Sequence, residues 1–141
     1  MLVRLLYASR AKKAPTPDEI EGILSQGRAH NAALGLTGIL CWSGDVFMQV
    51  IEGGRGPVNA VYRQIAADPR HTDVVLLSYE QIIERRFGGW TMGQVNLGKV
   101  NPSVLLKYCE KPVLDPGTIS AEAALALLAE LSATAAIAGR G

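Results

Sequence analysis

Read by the spacing of its apolar positions, the chain alternates short stretches of period two with longer stretches of period three and four. Residues 2–8, "LVRLLYA", read as a strand. Residues 14–35 then carry helix signals: Thr16 as cap, Pro17 at the first helical position, Glu19 closing a capping box and Gly35 marking the end. Ile20, Ile23, Leu24, Gly27, Asn31 and Leu34 fall on one face of that helix, which puts Asn31 on its inward stripe. "LTGILCWSGDVFMQVIEG" is two apolar runs joined by Ser43-Gly44-Asp45, a hairpin signal. A second helix follows, with Pro57 near its first turn, Val58, Val61, Tyr62 and Ile65 on one face, and Asp68-Pro69 ending it. "TDVVLLSYEQI" is a fourth strand, "MGQVNL" holds a shorter fifth, and residues 102–111 and 119–138 read as helices.

The order βαββαβ with an added strand and a helical tail predicts an α+β sandwich of the ferredoxin-like kind. Right-handed crossovers are expected to bring the first and third strands together as parallel central neighbours. In "VFMQVIEG", residues 46–53, both faces are apolar except for the amide of Gln49. A buried amide without partners costs on the order of 1–3 kcal/mol, so Gln49 needs something to bond. Tyr7 shares a strand face with Val3 and Leu5 and lies on the neighbouring strand, and Asn31 comes from the helix above. Alone, Tyr7 reads as a strand former whose hydroxyl reaches the surface, and Asn31 as a residue serving the local backbone. Together the three point to a buried polar ligand beneath a helix pair.

Composition narrows the classes. A chain of 141 residues without an internal linker fits one domain, and a net charge of +1 with scattered Lys and Arg gives no basic stripe for nucleic acid or an acidic membrane. Glu84-Arg85-Arg86 reads as a solvated turn. Cys41 and Cys109 form no metal knuckle or Cys-x-x-Cys pair, and His30 and His71 lack metal-site spacing. No signal-peptide pattern and no run long enough to span a membrane are present, so a cytoplasmic location is expected. The tail helix, with only Glu122 and Glu130 charged over 119–138, must pack on the sheet or on a partner.

Several stretches together resemble the BLUF family, sensors of blue light using FAD: "LLYASRA", "ILSQGRAHNAALGLTGIL", "GDVFMQVIEG", "DPRH" and "ERRFGGWTMG". The resemblance covers residues 1–97 as a photosensor domain, leaves 98–141 as a helical extension, and is closest in kind to the short members with no fused enzyme. It implies a flavin, FAD or alternatively FMN or riboflavin, between the two helices. Tyr7, Ile23, His30, Asn31, Gln49, Arg63, Ile65, Arg70 and His71 would bind it, with Tyr7, Gln49, Trp90 and Met92 photoactive. Many members carry an arginine in the second helix where this chain has Gln64, with Arg63 one position earlier. The implied partners are an unidentified downstream signalling protein and a second copy of the chain, through the sheet face or the C-terminal helices. Two rivals share the fold: an acylphosphatase-like hydrolase using the Gly53–Gly56 turn and Arg55 as an anion cradle, and an interaction domain that binds no flavin.

Overall fold

The computed structural model describes residues 1–134, apart from the side chains of Ile23 and Gln26. Five strands, β1 (Leu2–Ala11), β2 (Thr37–Ser43), β3 (Val46–Gly54), β4 (His71–Ile82) and β5 (Gly93–Asn96), form one sheet in the order β4-β1-β3-β2-β5. Helices α1 (Pro17–Ala33) and α2 (Arg55–Ala67) follow β1 and β3. A 3-10 turn at Leu97–Lys99 leads to α3 (Pro102–Leu106) and α4 (Ala121–Ala133). This is the ferredoxin-like α+β sandwich that the element order predicts, with a fifth strand added parallel to β2.

The local signals act as their chemistry dictates. Thr16 Oγ1 accepts from the Glu19 N–H at 3.2 Å and donates to its carboxylate at 3.3 Å, the reciprocal capping box. Ser43 and Val46 pair across a two-residue hairpin turn. The short helix expected over 102–111 stops at Leu106, and the Ala/Leu-rich helix spans 121–133; its expected continuation over 135–138 lies outside the described residues.

One expectation is corrected. β1 and β3 are neighbours in the middle of the sheet, but antiparallel. The crossover through α1 makes β1 and β2 run the same way, and the hairpin then reverses β3, which lies between them and so opposes both.

The central strands are covered on both faces, whereas β4 at the edge leaves Val75, Leu76 and Tyr79 exposed. On the α1/α2 side, Val3, Leu5, Tyr7 and Ile51 pack with Leu36 and Val58. On the other, Leu6, Ala8, Ile39, Met48 and Val50 share a core with Leu105, Leu114, Leu127, Leu128 and Leu131. The tail therefore packs on the sheet, because four apolar residues of one α4 face, Ala124, Leu127, Leu128 and Leu131, are buried there. Among the described residues no helix is long and apolar enough to cross a membrane.

Candidate functional site

Registry places the polar exceptions together. Tyr7 lies directly opposite Gln49, so both project to the α1/α2 side of the sheet. The Tyr7 hydroxyl donates to Gln49 Oε1 at 2.5 Å, and Gln49 Nε2 donates to Met92 Sδ at 3.1 Å. The phenol does not reach the surface: Tyr7 is 2% exposed. Burial, reinforced by Tyr62 and Cys41, pushes its pKa well above the ordinary 10.0. The hydroxyl thus remains a donor into alkaline solution. An optical signal that depends on it should persist without a titration step near pH 10, which absorbance measured across pH 7 to pH 10.5 would check.

Tyr7 and Gln49 form part of the wall of a cavity of about 650 Å³ between α1 and α2. Tyr7, His30, Asn31, Gln49, Ile65, Arg70 and His71 all line it. Arg63 does not; Gln64 does, since one helical position turns a side chain by about 100°. The side chain of Ile23 lies outside the described residues. The apolar wall comes from Ile20, Leu40, Phe47 and Val61, which sequence reading left out of the site although their inward spacing was visible. Lys12 and Lys13 were also missed; they follow β1 and stand at the same cavity.

At the end of the cavity beyond α2, Arg70 Nε donates to both oxygens of Asp68 at 3.0 Å, and the Arg70 N–H donates to Asp68 Oδ1 at 2.9 Å. These bonds hold the Asp68 carboxyl down to about 2. His71 Nδ1 lies 2.8 Å from Ser9 Oγ, and its ring meets Phe47 edge-on with centroids 5.7 Å apart. Burial lowers the His71 pKa, which favours the neutral ring.

Trp90 and Met92 separate. Met92 packs with Ile20, Leu40 and Phe47 beside the cavity, whereas Trp90 belongs to the core on the opposite face of the sheet, with Leu105 and Leu127.

The donor set fits a flavin. An isoalloxazine has an apolar end and a polar edge of carbonyls and ring nitrogens, and the cavity pairs apolar walls with three amides, those of Asn31, Gln49 and Gln64, and a phenol. Gln49 Nε2 carries two hydrogens, so one stays available for a ligand carbonyl while the other meets Met92. Asn31 adds both a donor and an acceptor.

Comparison with known proteins agrees with this chemistry. Residues 2–93 match the family described as sensors of blue-light using FAD. The blue light- and temperature-regulated antirepressor BluF of Escherichia coli (strain K12) is 36% identical over 88 residues, which are 62% of this chain and 22% of the antirepressor. The chain thus spans about a fifth of that relative. The dark-state structure of BlrB, a BLUF protein, superposes with a TM-score of 0.76 at 34% identity, covering 95% of this chain and 96% of that one. The photo-activated state of BlsA gives a TM-score of 0.81 at 27% identity over 93% and 94% of the two chains. With its matched residues forming the cavity and the amide that floors it, the chain belongs to the BLUF family of blue-light sensors that use FAD.

Proposed function

We propose that this chain is a light-gated signalling switch in which Tyr7 and Gln49 convert absorption into a hydrogen-bond change and residues 98–141 present it to a downstream protein. The observation that carries the reading is the 2.5 Å bond from the Tyr7 hydroxyl to Gln49 Oε1 at the floor of the cavity. Asn31 and Gln49 would hold the ring edge, Ile20, Phe47 and Ile65 its apolar faces, and His30 and His71 its flanks. Lys12, Lys13 and Arg70 would face the phosphates, a role that Arg63 is not placed to take. FAD bound there supplies the absorption of blue light and, once excited, a strong oxidant.

Tyr7 is the oxidisable ring of the set. On losing an electron its phenol becomes strongly acidic, and the short bond gives the proton one place to go, Gln49 Oε1. When Tyr7 recovers electron and proton, the Gln49 amide is left rotated or tautomerised, with its donor no longer on Met92. No substrate is turned over, so the module acts as a sensor and not as an enzyme. Met92 feels the change from the cavity side, and β5, whose Val95 packs into the tail core, carries it across the sheet. The hydrogen-bond change would be passed to a downstream protein; one relative is named an antirepressor.

Purified protein is expected to be yellow and to release its flavin on acid precipitation, because the cavity holds hydrogen-bonding and apolar groups and, among the described residues, no thiol. Blue light should shift the flavin spectrum, and darkness should restore it. Folded protein that cannot be loaded with FAD, FMN or riboflavin would sink the reading and favour a flavin-free interaction domain; turnover of acyl phosphates would favour the hydrolase.

A further inference from the structure

The segment that carries Trp90 and Met92, between β4 and β5, is tied down by a charge that the switch itself does not use. Glu52 sits three residues after Gln49 on β3, on the opposite face of the sheet, and is fully buried. Its Oε1 accepts the Phe87 N–H at 2.6 Å, and its Oε2 accepts the Arg86 N–H at 3.0 Å and Arg4 Nε at 2.7 Å. Arg4, 6% exposed on β1, passes the link to Glu80 on β4 at 2.8 Å. Arg85 adds a bond to Thr37 Oγ1 at 2.9 Å.

A buried ion pair contributes little net stability, and an apolar pair of similar volume often does as well. What a carboxylate does that an apolar pair cannot is fix two successive backbone N–H groups at defined points. Those two amides lie immediately before Gly88-Gly89, and the chain then returns to the sheet where the Gly38 N–H donates to the Trp90 carbonyl at 2.9 Å.

We propose that Glu52 is a positioning residue for the light response: it clamps Arg86 and Phe87 as a fulcrum, so that Met92 is held within reach of Gln49 and the amide can find its dark partner again. The inference rests on the sensor reading above. After illumination Gln49 has turned from Met92, and the return needs Met92 Sδ still in place. A loosened fulcrum lets Met92 leave and slows the return.

Glu52→Gln tests this in the full chain with its flavin bound. The neutral amide offers one acceptor oxygen where the carboxylate offers two, and its NH₂ meets the N–H of Arg86 or Arg4, donor against donor. The dark spectrum, the flavin content and the size of the light-induced shift should match wild type. Thermal recovery in darkness should slow by about fivefold, the effect of weakening one hydrogen bond. Leu114→Ala, which opens a gap in the core that also holds Phe87 and Trp90 but leaves the Glu52 bonds in place, serves as the destabilised control and should recover at the wild-type rate.

A second measurement needs no variant: hydrogen exchange of wild type should show the Arg86 and Phe87 amides equally protected in dark and light, with the change beginning after them, at residues 88–96, and passing on into the tail. Recovery of Glu52→Gln at the wild-type rate, equal slowing in Leu114→Ala, or light-induced loss of protection at Arg86 and Phe87 overturns the inference and leaves the sensor reading standing. A wild type without any light-induced shift overturns both.

Discussion

Tyr7→Phe is expected to abolish the light-induced spectral shift while the protein stays folded and yellow, and Gln49→Leu to give the same dark-locked state by a different route. Tyr7→Phe keeps the ring against Tyr62, whose centroid lies 5.8 Å away, and removes only the hydroxyl. Lost with it are the donor to Gln49 Oε1 and the proton that follows the electron. Gln49→Leu keeps the volume and removes the group that switches. The two differ in stability for a reason visible in the bond itself. In Gln49→Leu a phenol that is 2% exposed loses its acceptor, which costs about 1–3 kcal/mol. In Tyr7→Phe the orphan is an amide oxygen beside the cavity, where a bound ligand or water can take over. The double variant, with both partners gone, should recover part of the Gln49→Leu loss. Absorbance under blue light and thermal unfolding of all three decide the matter. A wild-type shift in either single variant would reduce the pair to ordinary core hydrogen bonding.

What the sequence makes legible, and what it hides, divides along a physical line. Local chemistry is written in neighbouring residues, so the Thr16 capping box and the Ser43–Val46 hairpin can be read directly and stand where expected. The convergence of Tyr7, Asn31 and Gln49 is also legible, because strand parity and helix spacing decide which face each residue takes, and the cavity collects all three. Relative strand direction follows from counting reversals: the crossover keeps β2 in the direction of β1, and the hairpin that the sequence signals turns β3 against both. Which of Arg63 and Gln64 faces the cavity turns on one helical position, about 100° of rotation, and the packed backbone puts Gln64 there.

The largest omission is Glu52. Glu84-Arg85-Arg86 reads as a solvated turn, yet the backbone of Arg86 is held by a fully buried carboxylate 34 positions away. A signal was present: Arg4 and Glu52 are the charged residues at positions whose strand neighbours on the same face, Leu6, Ala8, Met48 and Val50, are wholly buried. Two opposite charges on the inner face of adjacent central strands have to find one another or remain unpaired, and pairing them by register would have placed Arg4 opposite Glu52.

The second large effect is expected at Gly38, where the strand that borders Gln49's own strand has no room for a side chain. Gly38 pairs with Ile51 in the β2–β3 ladder and has φ +154°, a conformation that a Cβ disfavours. An alanine Cβ built there would stand 2.0 Å from the Val50 carbonyl oxygen and 3.2 Å from Ile51 Cα, both backbone atoms that cannot turn aside. Relief requires β2 to move off β3. That breaks the ladder next to Gln49 and pulls the Gly38 N–H away from the Trp90 carbonyl. Strain and overpacking together should cost Gly38→Ala about 3 kcal/mol or more, lowering the melting temperature by roughly 10 °C. Flavin should be lost with it, since Leu40 on β2 and Gln49 on β3 line the same cavity. The contrast is Gly22→Ala on the exposed side of α1, where an added Cβ meets nothing within 4 Å. That change should stabilise the helix by about 0.5–1 kcal/mol, the ordinary helical advantage of alanine over glycine. Differential scanning of the two variants with flavin bound compares a glycine forced by backbone contact with one that is not. A Gly38→Ala protein that melts within about 2 °C of wild type and keeps its flavin would mean that β2 and β3 sit farther apart than their register requires.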